Sequence, residues 1–95
     1  MATWTFLTNH GHVLLFIAGE QEATAREIAD AVGITERSCQ RIVAELEAGG
    51  YITRERVGRR NHYTLHLEAR LRHPLNVQHE IGELIALLAP DRSAP

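Results

Sequence analysis

Two arginines one helical turn apart, Arg37 and Arg41, carry the clearest chemistry in this 95-residue chain. At four-residue spacing both stand on one side of a helix. A guanidinium fork can grip O6 and N7 of guanine, or two oxygens of a phosphate. Gln40 between them has the donor and acceptor that match adenine, and Thr35 and Ser38 offer hydroxyls to a base edge or a phosphate. The plainer role for this face is a solvated surface with intrahelical pairs, such as Arg41 with Glu45. A second group of guanidiniums follows, since residues 51–62 hold Arg54, Arg56, Arg59 and Arg60 against Glu55 alone. All ten basic residues are arginines. Coding bias across the chain accounts for the missing lysines more simply than chemistry does.

These side chains need elements to present them. Thr24-Ala25-Arg26-Glu27 is a capping-box pattern, in which the Thr24 hydroxyl and the Glu27 carboxylate each take a free backbone amide. Ile28, Ala29 and Val32 give the helix that follows an apolar edge. Gly33 can end it in a left-handed conformation, and Thr35 can cap a second, longer helix. On that second helix Cys39, Ile42, Val43 and Leu46 share one face, leaving Arg37, Gln40, Arg41 and Ala44 on the other. Residues 24–49 therefore read as a helix-turn-helix, whose second helix enters a major groove with its N-terminal residues foremost. Arg26, near the start of the first helix, is then a phosphate candidate. Residues 51–67 read as a hairpin: Tyr63, Leu65 and Leu67 alternate with His62, Thr64 and His66 beyond a Gly- and Asn-containing tip.

The stretch TAREIADAVGITERSCQRIVAELEAGGYITRERVGRRNHYTL resembles the winged helix-turn-helix regulators, especially the small MarR-like and ArsR-like bacterial repressors. The resemblance implies a mainly α fold with a small β-hairpin and an additional C-terminal dimerisation helix. It places Arg59 and Arg60 at the wing tip, where they would reach the neighbouring minor groove or its phosphates. Arg54 and Arg56 would line the strand facing the DNA backbone, and His62 could touch phosphate. A flexible tip charged for solubility is the alternative.

Outside that stretch, Trp4 and Phe6 form an aromatic arm expected to pack under the body or against a partner subunit. Thr8 or Asn9 can cap a helix running through Val13–Ala18 to Gly19; so apolar a run could also be a buried strand, and the resemblance favours helix. Pro74 reads as a start signal for a helix over 75–89, with Val77, Ile81, Leu84, Ile85 and Leu88 as its apolar stripe. Pro90 begins a frayed tail. In similar regulators terminal helices pair across a two-fold axis. Trp4, Phe6 and this stripe are therefore the expected dimer interface; the alternative is a helix folded back over its own domain.

Composition bounds the rest. Residues 1–95 suffice for one domain, and a chain this size buries only about 60–65% of its unfolded surface, so self-association would help it. A net charge of −2 argues against a bulk polyanion binder. One cysteine leaves no internal disulfide, and it falls on the apolar face of its helix as an inert thiol. No apolar run approaches the roughly 18 residues of a membrane span, which makes the cytoplasm the default compartment. His10-Gly-His12, and His79 with Glu83, have metal-ligand spacing, but the Cys-x-Cys element of metal sensors is missing. No metal or cofactor is expected, and nothing resembles a catalytic set, so an enzyme is not expected. The expectation is a homodimeric, sequence-specific regulator of double-stranded DNA, in the manner of a repressor, with no effector named. A winged-helix module that binds protein, and a ligand- or metal-gated sensor of the same fold, are the alternatives.

Overall fold

A computed structural model of the chain describes residues 3–89. Helix α1 spans Asn9–Gly19, with the Thr8 hydroxyl accepting the Gly11 N–H and the Glu20 N–H closing the far end on the Phe16 and Ile17 carbonyls. The apolar run is thus helix and not strand. It is apolar on several sides because three other helices surround it, and Val13, Leu14, Leu15 and Ile17 are all buried.

Helix α2, Ala25–Val32, opens with the expected capping box: the Thr24 N–H donates to Glu27 at 2.8 Å, and the Glu27 N–H donates to the Thr24 hydroxyl at 3.1 Å. It ends at Gly33, whose φ of +88° is a conformation that glycine adopts without a side-chain clash. Helix α3, Glu36–Ala48, starts from Thr35, which accepts the Ser38 N–H at 3.0 Å. Ile28 and Ala29 of α2 meet Cys39, Ile42, Val43 and Leu46 of α3 in one core with α1.

The wing pairs β1, Ile52–Val57, with β2, Arg60–Leu65, antiparallel, setting Ile52 opposite Leu65 and Val57 opposite Arg60. Only Gly58 and Arg59 connect the strands. Positive φ at Gly58 and not at Arg59 is the pattern of a type II′ turn. Tyr51, Ile52 and Tyr63 drop into the core. The Tyr63 N–H donates to the Gln21 carbonyl at 2.9 Å, tying the wing to the loop ahead of α2.

The C-terminal part departs from expectation. The last helix, α4, spans only Ile81–Leu88. Residues 74–78 are turn, closed by Asn76 N–H to the His73 carbonyl at 2.8 Å and His79 N–H to the Asn76 carbonyl at 2.9 Å. The chain then returns antiparallel on itself, with Leu71 bonded to His79 and Ile81 to Ala69. Satisfying backbone groups this way removes the need for helix there, and Pro74 serves a turn. Helix α4 packs on α1, and Ile81 is 1% exposed in the protein's own core, so it faces no partner. The aromatic arm does not tuck under the body either. Trp4 and Phe6 stack edge to face with centroids 5.1 Å apart, and are 67% and 93% exposed. The tail at 90–95 lies outside the described residues.

Gly82 fixes how closely α4 docks. Its N–H donates to the Leu67 carbonyl at 2.9 Å, and a β-carbon there would lie 2.9 Å from that same oxygen. Gly82→Ala should therefore destabilise the fold by about 1–3 kcal/mol in urea unfolding. That loss should outweigh the ~1 kcal/mol that alanine gains in helix propensity. Unchanged or increased stability would mean that α4 does not sit against Leu67.

Candidate nucleic-acid interface

Burial of Cys39, Ile42, Val43 and Leu46 turns Arg37, Arg41, Ala44 and Ala48 outward on α3. Arg37 is exposed, as are Arg26 on α2 and Arg59 at the wing tip, and none of the three side chains holds a hydrogen bond or ion pair with another described residue. Arg41 Nη1 lies 3.1 Å from Glu45 Oε1, one turn along the same helix. Solvent screens such an exposed pair, so a stronger anion can take the guanidinium. Gln40 reaches Glu36 at 3.5 Å, a long contact that leaves its amide available. The Thr35 hydroxyl caps the helix and donates to Ser38 Oγ at 2.9 Å, so Thr35 is occupied while the Ser38 hydroxyl hydrogen stays free for an acceptor.

Two carboxylates of α3 bond to side chains of other elements. Arg54 Nη2 reaches Glu47 at 3.3 Å, which fastens the first wing strand to α3. On the other flank, Glu45 Oε1 lies 2.7 Å from His10 Nε2 of α1. The His10 hydrogen bond first, and the Arg41 charge after it, hold the Glu45 carboxyl below its ordinary range. Arg56 turns its Nε to the Gly58 carbonyl at 2.9 Å and braces the turn.

Arg60 is not at the tip. The two-residue turn makes it the first residue of β2, and its Nη1 donates to Glu27 Oε1 and to the Glu22 carbonyl, both at 3.0 Å. His62, two residues on and hence on the same strand face, points Nδ1 at Glu22 Oε2 across 3.4 Å. Both side chains brace the wing against the loop and cap of α2. This anchoring escapes sequence reasoning because Glu27 and Arg60 are 33 residues apart. The His10–Glu45 contact, across 35 residues, escapes it for the same reason.

Of the residues expected at a dimer interface, Trp4, Phe6, Val77 and Leu88 are exposed, and so are Leu75 and Leu87, which the stripe omitted. Leu84 and Ile85 are half-buried. Leu84 lines an open apolar depression of about 330 Å³ with Phe6, Leu7, Leu14 and Leu71. Cys39 is buried, and burial first, then the Glu36 charge, pushes its thiol up, away from reactivity. His79 Nδ1 pairs with Glu83 at 2.9 Å. Among the described residues no three His, Cys, Asp or Glu side chains gather around a point that could hold a metal ion. None of the described helices is long and apolar enough to cross a membrane.

The model of the MarR family matches residues 5–60, which takes in α1, the helix-turn-helix and the first wing strand. Among solved structures the chain is similar to MepR, a transcription regulator of the Staphylococcus aureus multidrug efflux pump MepA. The identity is 26% and the TM-score 0.55, over 61% of this chain and 45% of the MepR chain. The chain thus spans under half the length of that relative. No curated protein matches.

The Thr24 backbone amide first, and the Arg60 guanidinium next, lower the Glu27 carboxyl below its ordinary 4.5. A carboxyl depressed in the folded state contributes stability above its unfolded value, and that contribution is lost as pH falls through the folded value. Wild type should therefore exceed Glu27→Gln in urea midpoint at pH 7, with the gap closing below about pH 4.5. A gap independent of pH would contradict the Glu27 bonding described here.

Proposed function

The chain belongs to the MarR family, and from that premise we propose that it is a winged-helix transcription regulator, not an enzyme, that binds double-stranded DNA sequence-specifically as a homodimer in the cytoplasm. The observation that carries this reading is the outward face of α3, where exposed Arg37 and Arg41 stand one turn apart with no other described element covering them. Helix α3 would lie in a major groove, Arg37 and Arg41 reading guanine edges or gripping phosphate, with Gln40 and Ser38 beside them. Arg26 would hold a phosphate where α2 crosses the backbone, and Arg59 would reach the adjoining groove. Arg54, Arg56, Arg60 and His62 would act through the wing's position and only marginally by direct contact. Thr35 would act as the cap.

Support for self-association comes from apolar surface. Trp4 and Phe6 at one terminus, and Leu87 and Leu88 at the other, are exposed on so small a domain. Apolar exposure of this kind marks interaction surfaces. A second copy would cover it and set two α3 helices about 34 Å apart, one turn of DNA. Occupying a promoter in that way represses by exclusion.

Selection of bound duplexes from a random pool tests both parts. A pseudo-palindromic consensus with half-sites about 10 base pairs apart supports the reading, and failure to enrich any sequence overturns it. On the selected site, Arg37→Ala or Arg41→Ala should cost roughly 1–3 kcal/mol and relax specificity at one position. Arg59→Ala should instead weaken all sequences alike and lower the salt slope by about one.

A further inference from the structure

One oxygen of Glu45 meets side chains from two different elements. His10 Nε2 of α1 lies 2.7 Å from Glu45 Oε1, and Arg41 Nη1 of α3 lies 3.1 Å from the same atom. Arg26, Arg37 and Arg59 hold no such internal partner among the described residues, so Arg41 is the exposed α3 guanidinium that must leave a carboxylate to reach DNA. We propose that His10 and Glu45 position Arg41: a protonated His10 neutralises Glu45 and releases Arg41 to the duplex, so that DNA affinity depends on the proton at His10. This rests on the DNA-binding reading above.

The physical reason is charge balance at the groove wall. When Arg41 moves from Glu45 to a base or a phosphate, the carboxylate is left beside a polyanion and repels it. An imidazolium bonded to the same oxygen cancels that charge, while a neutral imidazole cannot. Binding therefore favours the protonated ring, takes up a proton, and strengthens as pH falls. Besides Glu45, Arg72 and Tyr51 line the same depression as His10, and the Tyr51 hydroxyl donates to the Arg70 carbonyl at 2.7 Å. The neighbouring arm contributes apolar Phe6 and Leu7. The contact of His62 with Glu22 lies on another element, and variants at position 10 leave it in place.

The test is a pH series of binding titrations, from 8.0 to 5.5 at fixed ionic strength, on the duplex selected as above. Wild type is compared with His10→Gln, Glu45→Gln and the double variant. Across the series wild-type affinity should rise roughly two- to fivefold more than that of His10→Gln, the range of one exposed ion pair. Glu45→Gln should bind at pH 8.0 at least as tightly as wild type does at pH 5.5. Adding His10→Gln to Glu45→Gln should change nothing further, since the cycle loses its coupling with the carboxylate. A carboxyl-detected NMR titration of the free protein reads the same link without DNA: the Glu45 carboxyl should titrate higher in His10→Gln. Parallel pH profiles for wild type and His10→Gln, both binding DNA, would overturn the relay alone. Absence of DNA binding by wild type at every pH would overturn the DNA-binding reading and the relay with it.

Discussion

Burial of one face of α3 is the constraint on which the rest depends. Cys39, Ile42, Val43 and Leu46 are at most 7% exposed. A helix locked on that side by α1 and α2 has no rotational freedom, and its opposite face is decided at the same moment. Arg37 and Arg41 point outward because those four residues point in. Replacing buried apolar volume in this set costs about 2–5 kcal/mol per large residue, which is a large share of a small domain's stability. The orientation of the arginines is therefore held by packing, and their own surface contacts add little to it.

A second layer of interactions fixes the wing against that frame. The Tyr63 amide on the Gln21 carbonyl and the Arg60 guanidinium on Glu27 join the hairpin to the beginning of α2, while Arg54 on Glu47 joins it to α3. Individually the ion pairs are weak. Their value is geometric, since two anchors on different helices leave a short hairpin one way to lie. They also keep two glutamates of a chain with net charge −2 engaged with arginines, which lessens the repulsion that Glu27 and Glu47 would otherwise present to an approaching anion.

The local parts of this architecture were legible in the sequence. Capping boxes, a glycine at a helix end and three- and four-residue apolar spacing act within one or two turns, so Thr24, Glu27, Gly33 and Thr35 announce themselves. The length of the wing turn did not. With Asn61 so close to Gly58 the tip reads as longer, and the pairing of Val57 with Arg60 shows that a two-residue turn moves Arg60 into the strand. The C-terminal helix reads as longer in the sequence because Leu75 and Val77 extend the apolar run towards Pro74, while the bonds that fold 69–81 into a return loop lie between residues far apart in that segment. Contacts such as His10 with Glu45 and Arg60 with Glu27 join separate elements, and no periodicity encodes them. Of the two regulator families resembled, the matches support the MarR branch.

The most direct measurement of the central claim is a map of the DNA-contacting surface. Amide and arginine side-chain NMR shifts can be followed while a duplex carrying the selected site is added. The largest changes should fall on Arg37, Gln40 and Arg41 of α3 and on Arg59, with smaller ones at Arg26. Changes confined to α4 and the aromatic arm, or spread without preference for α3, would contradict the account.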